Sequence, residues 1–155
     1  MLKYIFFILM TTMFSANAYS ASCYTITEAE AEQGIRIQSE LMVIGLNCLH
    51  KDSQLYAKYR SLADNNSQLF EAYNQIMINH FKKNGIGNAE KEINVMRTTY
   101  ANRISEIAAE LRPDIFCSKY APRIERAQSM NNSDIRKWAS TFFASHPVSK
   151  PICES

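Results

Sequence analysis

The chain has 155 residues, and 17 Lys and Arg against 15 Asp and Glu leave a formal charge of only +2, so no strong field recruits nucleic acid or an anionic membrane. Only four glycines and four prolines argue against an all-β sandwich full of tight turns. The length favours one domain with its own hydrophobic core.

The first eighteen residues, MLKYIFFILMTTMFSANA, have a basic start at Lys3, an apolar run from Tyr4 to Met10 and a small-residue end at Ala16-Asn17-Ala18. That is the layout of a cleaved secretory signal, too short in its apolar part for a permanent span. We expect cleavage after Ala18, which leaves residues 19–155 as a single helical domain and lowers the charge by one. Cys23 follows Ser-Ala-Ser, but a lipobox wants a leucine-like residue where Ser20 stands, which disfavours lipidation.

Helix one is expected from Thr27, with Glu30 completing a capping box, and its apolar face runs through Ile37, Leu41, Ile44 and Cys48. The stretch SELMVIGLNCLH within it is too short to cross a bilayer and reads as a core helix. Gly34 and Gly45 either weaken this helix or admit a close neighbour. Asp52 or Ser53 caps a short second helix with Leu55, Tyr56, Tyr59 and Leu62 inward. A break at Asn65–Gln68 caps the third, whose stripe is Leu69, Tyr73, Ile76, Met77 and His80, with Phe81 beside it. Lys82, Lys83 and Asn84-Gly85 end it in a left-handed turn. Asn88 caps a long fourth helix carrying Ile93, Met96, Tyr100, Ile104, Ile107 and Leu111. Pro113 ends that helix or opens the next, which carries Ile115, Phe116, Cys117 and Tyr120 and is bent or restarted at Pro122. Asn131 caps a last helix with Ile135, Trp138, Ala139, Phe142 and Phe143. Residues 145–155 hold two prolines and should be irregular. The fold class is all-α, a bundle of five or six helices.

Four cysteines lie beyond Ala18: Cys23, Cys48, Cys117 and Cys153. An even number behind an export signal reads as two disulfides in an oxidising compartment. The sequence leaves three connectivities open. Chain position favours Cys48 with Cys117 as a core staple and Cys23 with Cys153 tying the termini.

Catalytic signatures are missing. There is no G-x-S-x-G, H-E-x-x-H, glycine-rich phosphate loop, EF-hand loop or C-x-x-C in the chain. Cys48-x-His50 offers half a zinc site and no second pair, so no metal and no cofactor is expected. His80 on an apolar stripe reads as a core histidine, and His146 stands alone. Glycosidases need only two carboxylates, for which Glu28, Glu30 and Glu40 are the candidates, but all three also read as capping or solvated residues. Tyr56, Tyr59 and Tyr73 stand at helical spacing and read as core and core-edge packing before interface. Arg97, Arg103 and Arg112 share their helix with acids and read as a solvated face. The sequons at Asn65 and Asn131 coincide with helix starts, where both residues serve as caps.

The segment RIQSELMVIGLNC, followed some seventy residues later by FCSKY, resembles a group of small exported alphaproteobacterial helical proteins of unassigned function. The resemblance spans about Ile37 to Tyr120. It implies an exported location and a shared Cys48–Cys117 disulfide, and it supplies no mechanism. Two functional classes follow. The first is a periplasmic or secreted interaction or binding protein of the cell envelope, whose partner is another envelope or host protein, not nucleic acid, with no stable membrane span after cleavage. The second is a small exported hydrolase acting on peptidoglycan or lipid. A carrier of apolar ligands would require a cavity in the bundle.

Overall fold

A computed structural model describes residues 23–141 and 146–154. The expected signal segment and cleavage site, and the expected core residues Phe142 and Phe143, lie outside the described residues. Among the described residues six helices follow in order: α1 (Ile26–Asn47), α2 (Leu55–Asn65), α3 (Ser67–Lys83), α4 (Ala89–Glu110), α5 (Pro113–Ala127) and α6 (Asn132–Ala139). Among the described residues the β-type pairing is one isolated bridge, Tyr24 with Ile152. The fold is the expected all-α bundle, stapled by two disulfides.

Helix α1 is the axis of the bundle and packs against each of the other five helices. Between Ala29 and Gly45 only Glu30, Gln38 and Met42 are other than buried. Ile35, Ile37, Leu41, Val43 and Ile44 spread apolar contacts around the helix, as expected of a strut with neighbours on every side. Its start differs from the expectation. Thr25 is the N-cap, and Glu28, not Glu30, closes the capping box. Two T-x-x-E matches overlap here. The earlier one wins because Tyr24 is held extended by the tail: its N–H donates to the Pro151 carbonyl at 2.8 Å and its carbonyl accepts from the Cys153 N–H at 2.9 Å. The helix begins as soon as the chain leaves that anchor.

Gly34 is the close approach that the sequence allowed for. A Cβ at this position would overlap Cδ2 and Cε2 of Tyr73, with Cγ at 3.1 Å. Helix α3 therefore lies against the bare backbone of α1. Gly85 adopts φ +77°, the left-handed end expected for α3.

Several local expectations hold. Asn88 Oδ1 accepts from the Lys91 N–H, Pro113 opens α5 in its first turn, and Asn131 with Asp134 forms a capping box on α6. Others need correction. Asp52 accepts from the Gln54 N–H ahead of α2, but the N-cap is Gln54. Asn66 joins α2 to α3 without capping through its side chain; its amide donates to the carbonyls of Leu62 and Met130, tying the joint to the loop before α6. Pro122 does not interrupt α5, which runs unbroken to Ala127. Pro122 and Ser118, whose carbonyl the proline leaves without its helical partner, are both exposed. Ile115 points outward at 48% exposure, whereas Phe116, Cys117 and Tyr120 are buried.

The Cys48–Cys117 disulfide joins the end of α1 to α5 with both cysteines fully buried. Cys23–Cys153 ties the two ends, beside the Tyr24–Ile152 bridge. No helix among the described residues is long and apolar enough to cross a membrane.

Candidate binding cleft

The charged residues of α1 organise the polar part of the molecule. Their sequence pattern, EAEAEQGIRIQSE, sends successive acids to different neighbours, because residues two apart on a helix point almost oppositely. Glu28 accepts from the Thr25 N–H at 2.7 Å and lies 2.9 Å from His80 Nδ1. Burial pushes its carboxyl up, but the Thr25 amide and the His80 ring outweigh that and hold it below its ordinary value. Lys150 Nζ is 3.2 Å from His80 Nε2. An ammonium only donates, so Nε2 accepts and Nδ1–H faces Glu28. His80 is thus the expected core histidine, enclosed between α1, α3 and the tail.

Glu30 accepts from the Tyr73 hydroxyl at 2.8 Å, Arg136 Nη1 at 3.0 Å and the Ser140 hydroxyl at 3.3 Å. It joins α1 to α3 and α6. Glu40 accepts from Arg36 Nε at 2.7 Å and Arg123 Nη1 at 3.2 Å, joining α1 to α5. All three acids weighed as hydrolytic candidates are therefore engaged in bonds between elements. The view of them as solvated side chains is overturned for Glu40, which is only 8% exposed.

The acid missed in the sequence is Glu32, with no exposed surface at all. Its carboxylate accepts from the Tyr100 hydroxyl and the Ser149 N–H, each at 2.7 Å, and from the Ser149 hydroxyl. Burial, and then the carboxylate beside it, push the Tyr100 hydroxyl far above its ordinary range and keep it a donor. Arg97, read as solvated, is half-buried and donates to Asn74 Oδ1 at 2.9 Å; Arg103 and Arg112 are exposed as expected. Tyr59 and Tyr73 are core residues, and Tyr56 is half-buried, its ring 5.8 Å from that of Tyr59 between centroids.

One face of α1 lies at the bottom of a cleft. Gln33, Arg36, Ile37 and Glu40 recur at three, four and seven residues, and together they floor a cleft of about 590 Å³. Helix α5 contributes Arg123 and Arg126 to one wall, and α6 contributes Asp134, Lys137 and Trp138 to the other. Met130 closes the end between them, and Thr141 and His146 stand at the rim. The Gln33 amide donates to the His146 carbonyl at 3.0 Å, fastening the tail to the cleft's edge. The volume falls within the range of small-molecule sites, and it mixes apolar walls with a few polar groups, as such sites do.

The electrostatics are lopsided. Four cationic side chains line the cleft, Arg36, Arg123, Arg126 and Lys137, against the two acids Glu40 and Asp134. Both acids are engaged: Glu40 serves two guanidiniums, and Asp134 accepts from the Asn131 N–H in its capping box. Arg36 is 2% exposed, yet its Nη1 and Nη2 meet no hydrogen-bond partner. Its guanidinium carbon stands 5.6 Å from the Tyr100 ring centroid, which offsets part of the charge but serves none of those N–H groups. Leaving a buried donor unmade costs about 1–3 kcal/mol, and more for a charged group.

Cys48, half of the notional zinc pair, is consumed by its disulfide, and no group of three or more His, Cys, Asp or Glu among the described residues is placed to hold a metal ion. Cys23, weighed as a lipobox cysteine, is bonded to Cys153. Comparison with known proteins finds no matching family, no matching curated sequence and no matching solved structure.

Proposed function

We propose that this chain is an exported helical binding protein of the cell envelope or its surroundings, and that it holds a small molecule in the cleft between α1, α5 and α6. The observation that carries this reading is the cleft itself: about 590 Å³, floored by Gln33, Arg36, Ile37 and Glu40 of the central helix and walled by α5 and α6. Two disulfides, the signal-like segment at residues 1–18 and the resemblance to small exported proteins all point toward an oxidising compartment. The hydrolase alternative draws no support from Glu28, Glu30 and Glu40, since each carboxylate is tied to groups on neighbouring elements.

The single tryptophan of the chain, Trp138, lines the cleft, so its emission reports occupancy directly. Protein released from its native envelope without denaturant should carry a non-covalent adduct by intact-mass measurement, and stripping that adduct should shift the Trp138 emission. Bare protein on release, with no emission change against any fraction of an envelope small-molecule extract, would remove the reading.

A further inference from the structure

We infer that the ligand of this cleft carries an oxyanion head, a carboxylate or a phosphate, that completes the Arg36 guanidinium, and an apolar body that lies against Ile37, Met130 and Trp138. The inference rests on the binding reading above and names the chemistry of its ligand. A guanidinium offers five donors in a planar fork, and Nη1 with Nη2 matches two oxygens of one oxyanion. In Arg36 only Nε is used, by Glu40 at 2.7 Å; the two Nη nitrogens are buried and unpartnered. Glu40 does not satisfy them: neither Nη nitrogen makes a hydrogen bond to it, and its second oxygen accepts from Arg123.

The surroundings carry the same sign. Arg126 and Lys137 face the cleft from opposite walls, are exposed, and have no ion pair among the described residues. They are placed to attract an anion from solvent, whereas Arg36 is placed to hold it. Both Nη nitrogens are shut off from water, so the head must displace what covers them in order to bind. A bare inorganic anion leaves Ile37, Met130 and Trp138 without a role, and a neutral apolar molecule leaves the orphaned guanidinium end unmet. Only the combination uses both halves of the site.

The test is a titration followed by Trp138 emission, with decanoate, decyl phosphate, decanol and inorganic phosphate as probes. Decanoate or decyl phosphate should bind saturably, about 10- to 100-fold more tightly than decanol, as expected for hydrogen bonds to a buried charge. Whichever of the two charged probes binds more tightly identifies the head. Arg36→Met should bring the charged and neutral probes to equal affinity. Arg126→Met and Lys137→Met, at exposed positions that leave folding intact, should weaken the charged probes several-fold and reduce their salt dependence while sparing decanol. Those two variants keep the inference testable where Arg36→Met fails to fold. Decanol binding as tightly as decanoate overturns the oxyanion head and leaves the binding reading standing. Inorganic phosphate binding as tightly as decyl phosphate overturns the apolar body. Silence from all four probes overturns the inference, and if the native protein is also bare, the binding reading falls with it.

Discussion

Gly34→Ala offers a sharp check on the packing of α1 against α3. In a helix interior, alanine in place of glycine normally stabilises by about 1 kcal/mol. Here the new Cβ would overlap the Tyr73 ring at Cδ2 and Cε2. The ring cannot swing away freely. It is 1% exposed, its hydroxyl is bonded to Glu30, and Phe70 packs edge-on at 6.5 Å between centroids. Forcing an extra methyl into a packed site costs about 1–3 kcal/mol. Overlap with two ring atoms puts the cost toward the upper end, about 2–3 kcal/mol, so the clash outweighs the propensity gain and we expect a net loss of about 1–2 kcal/mol, or roughly 3–8 °C in melting temperature for a chain of this size. A double-mutant cycle isolates the cause. In a Tyr73→Val background the obstructing ring atoms are gone, and Gly34→Ala should become neutral or stabilising by about 0.5–1 kcal/mol. Thermal and urea unfolding of the four proteins measure both numbers. A Gly34→Ala protein as stable as the parent, or a cycle with no change of sign, would refute the close approach of the two helices.

Glu32→Ala should destabilise by about 3 kcal/mol, because it strands the Tyr100 hydroxyl and the Ser149 N–H, and hydrogen exchange should quicken at Ser149 in the tail; urea melts and exchange at that amide check both. Replacing Cys48 and Cys117 together by serine should lower stability by about 2–4 kcal/mol, since the bridge closes a separation of 69 residues; a matching denaturation midpoint in the two proteins would contradict a core staple. The Glu28 carboxyl is depressed below its ordinary 4.5 in the folded state, so its contribution is present above that value and fades as pH falls through the folded value. Glu28→Gln should therefore lose less stability than the parent as the solution is acidified below about pH 4.5, and melting temperature against pH for the pair reads the difference.

The helices were legible because their signals are local. Asn88, Asn131, Pro113 and Asn84-Gly85 each act within a turn of their own position, and all four mark boundaries of the elements they were read to mark. The Thr27 expectation failed on a tertiary fact: the tail pins Tyr24, which a reader of residues 24–30 cannot see. Pro122 was expected to bend or restart its helix, and its sequence neighbours do not show that the turn around it is exposed and the helix continues. The cleft was less legible still. Glu32 looks like one more acid in EAEAE, yet its partners lie 68 and 117 positions away. A usable signal was present all the same. Ile35, Ile37, Leu41, Val43 and Ile44 cannot share one face, so α1 had to be enclosed, and any charge on its central turns had to be buried and bonded. Arg36 is the charge for which that condition is only half met.

The outer disulfide has a mechanical consequence. Cys23 and Cys153 stand 5.0 Å apart between Cα atoms, with 130 positions of chain looped between them. A pull applied at the two ends passes through one sulfur–sulfur bond and does not reach the helices. Under tension the oxidised protein should behave as a short, inextensible link. Reduction would expose the bundle to load and release slack of roughly 3.5 Å for each residue freed. That release should arrive in two instalments, because the segment from Cys48 to Cys117 stays locked until the inner bond is also cut.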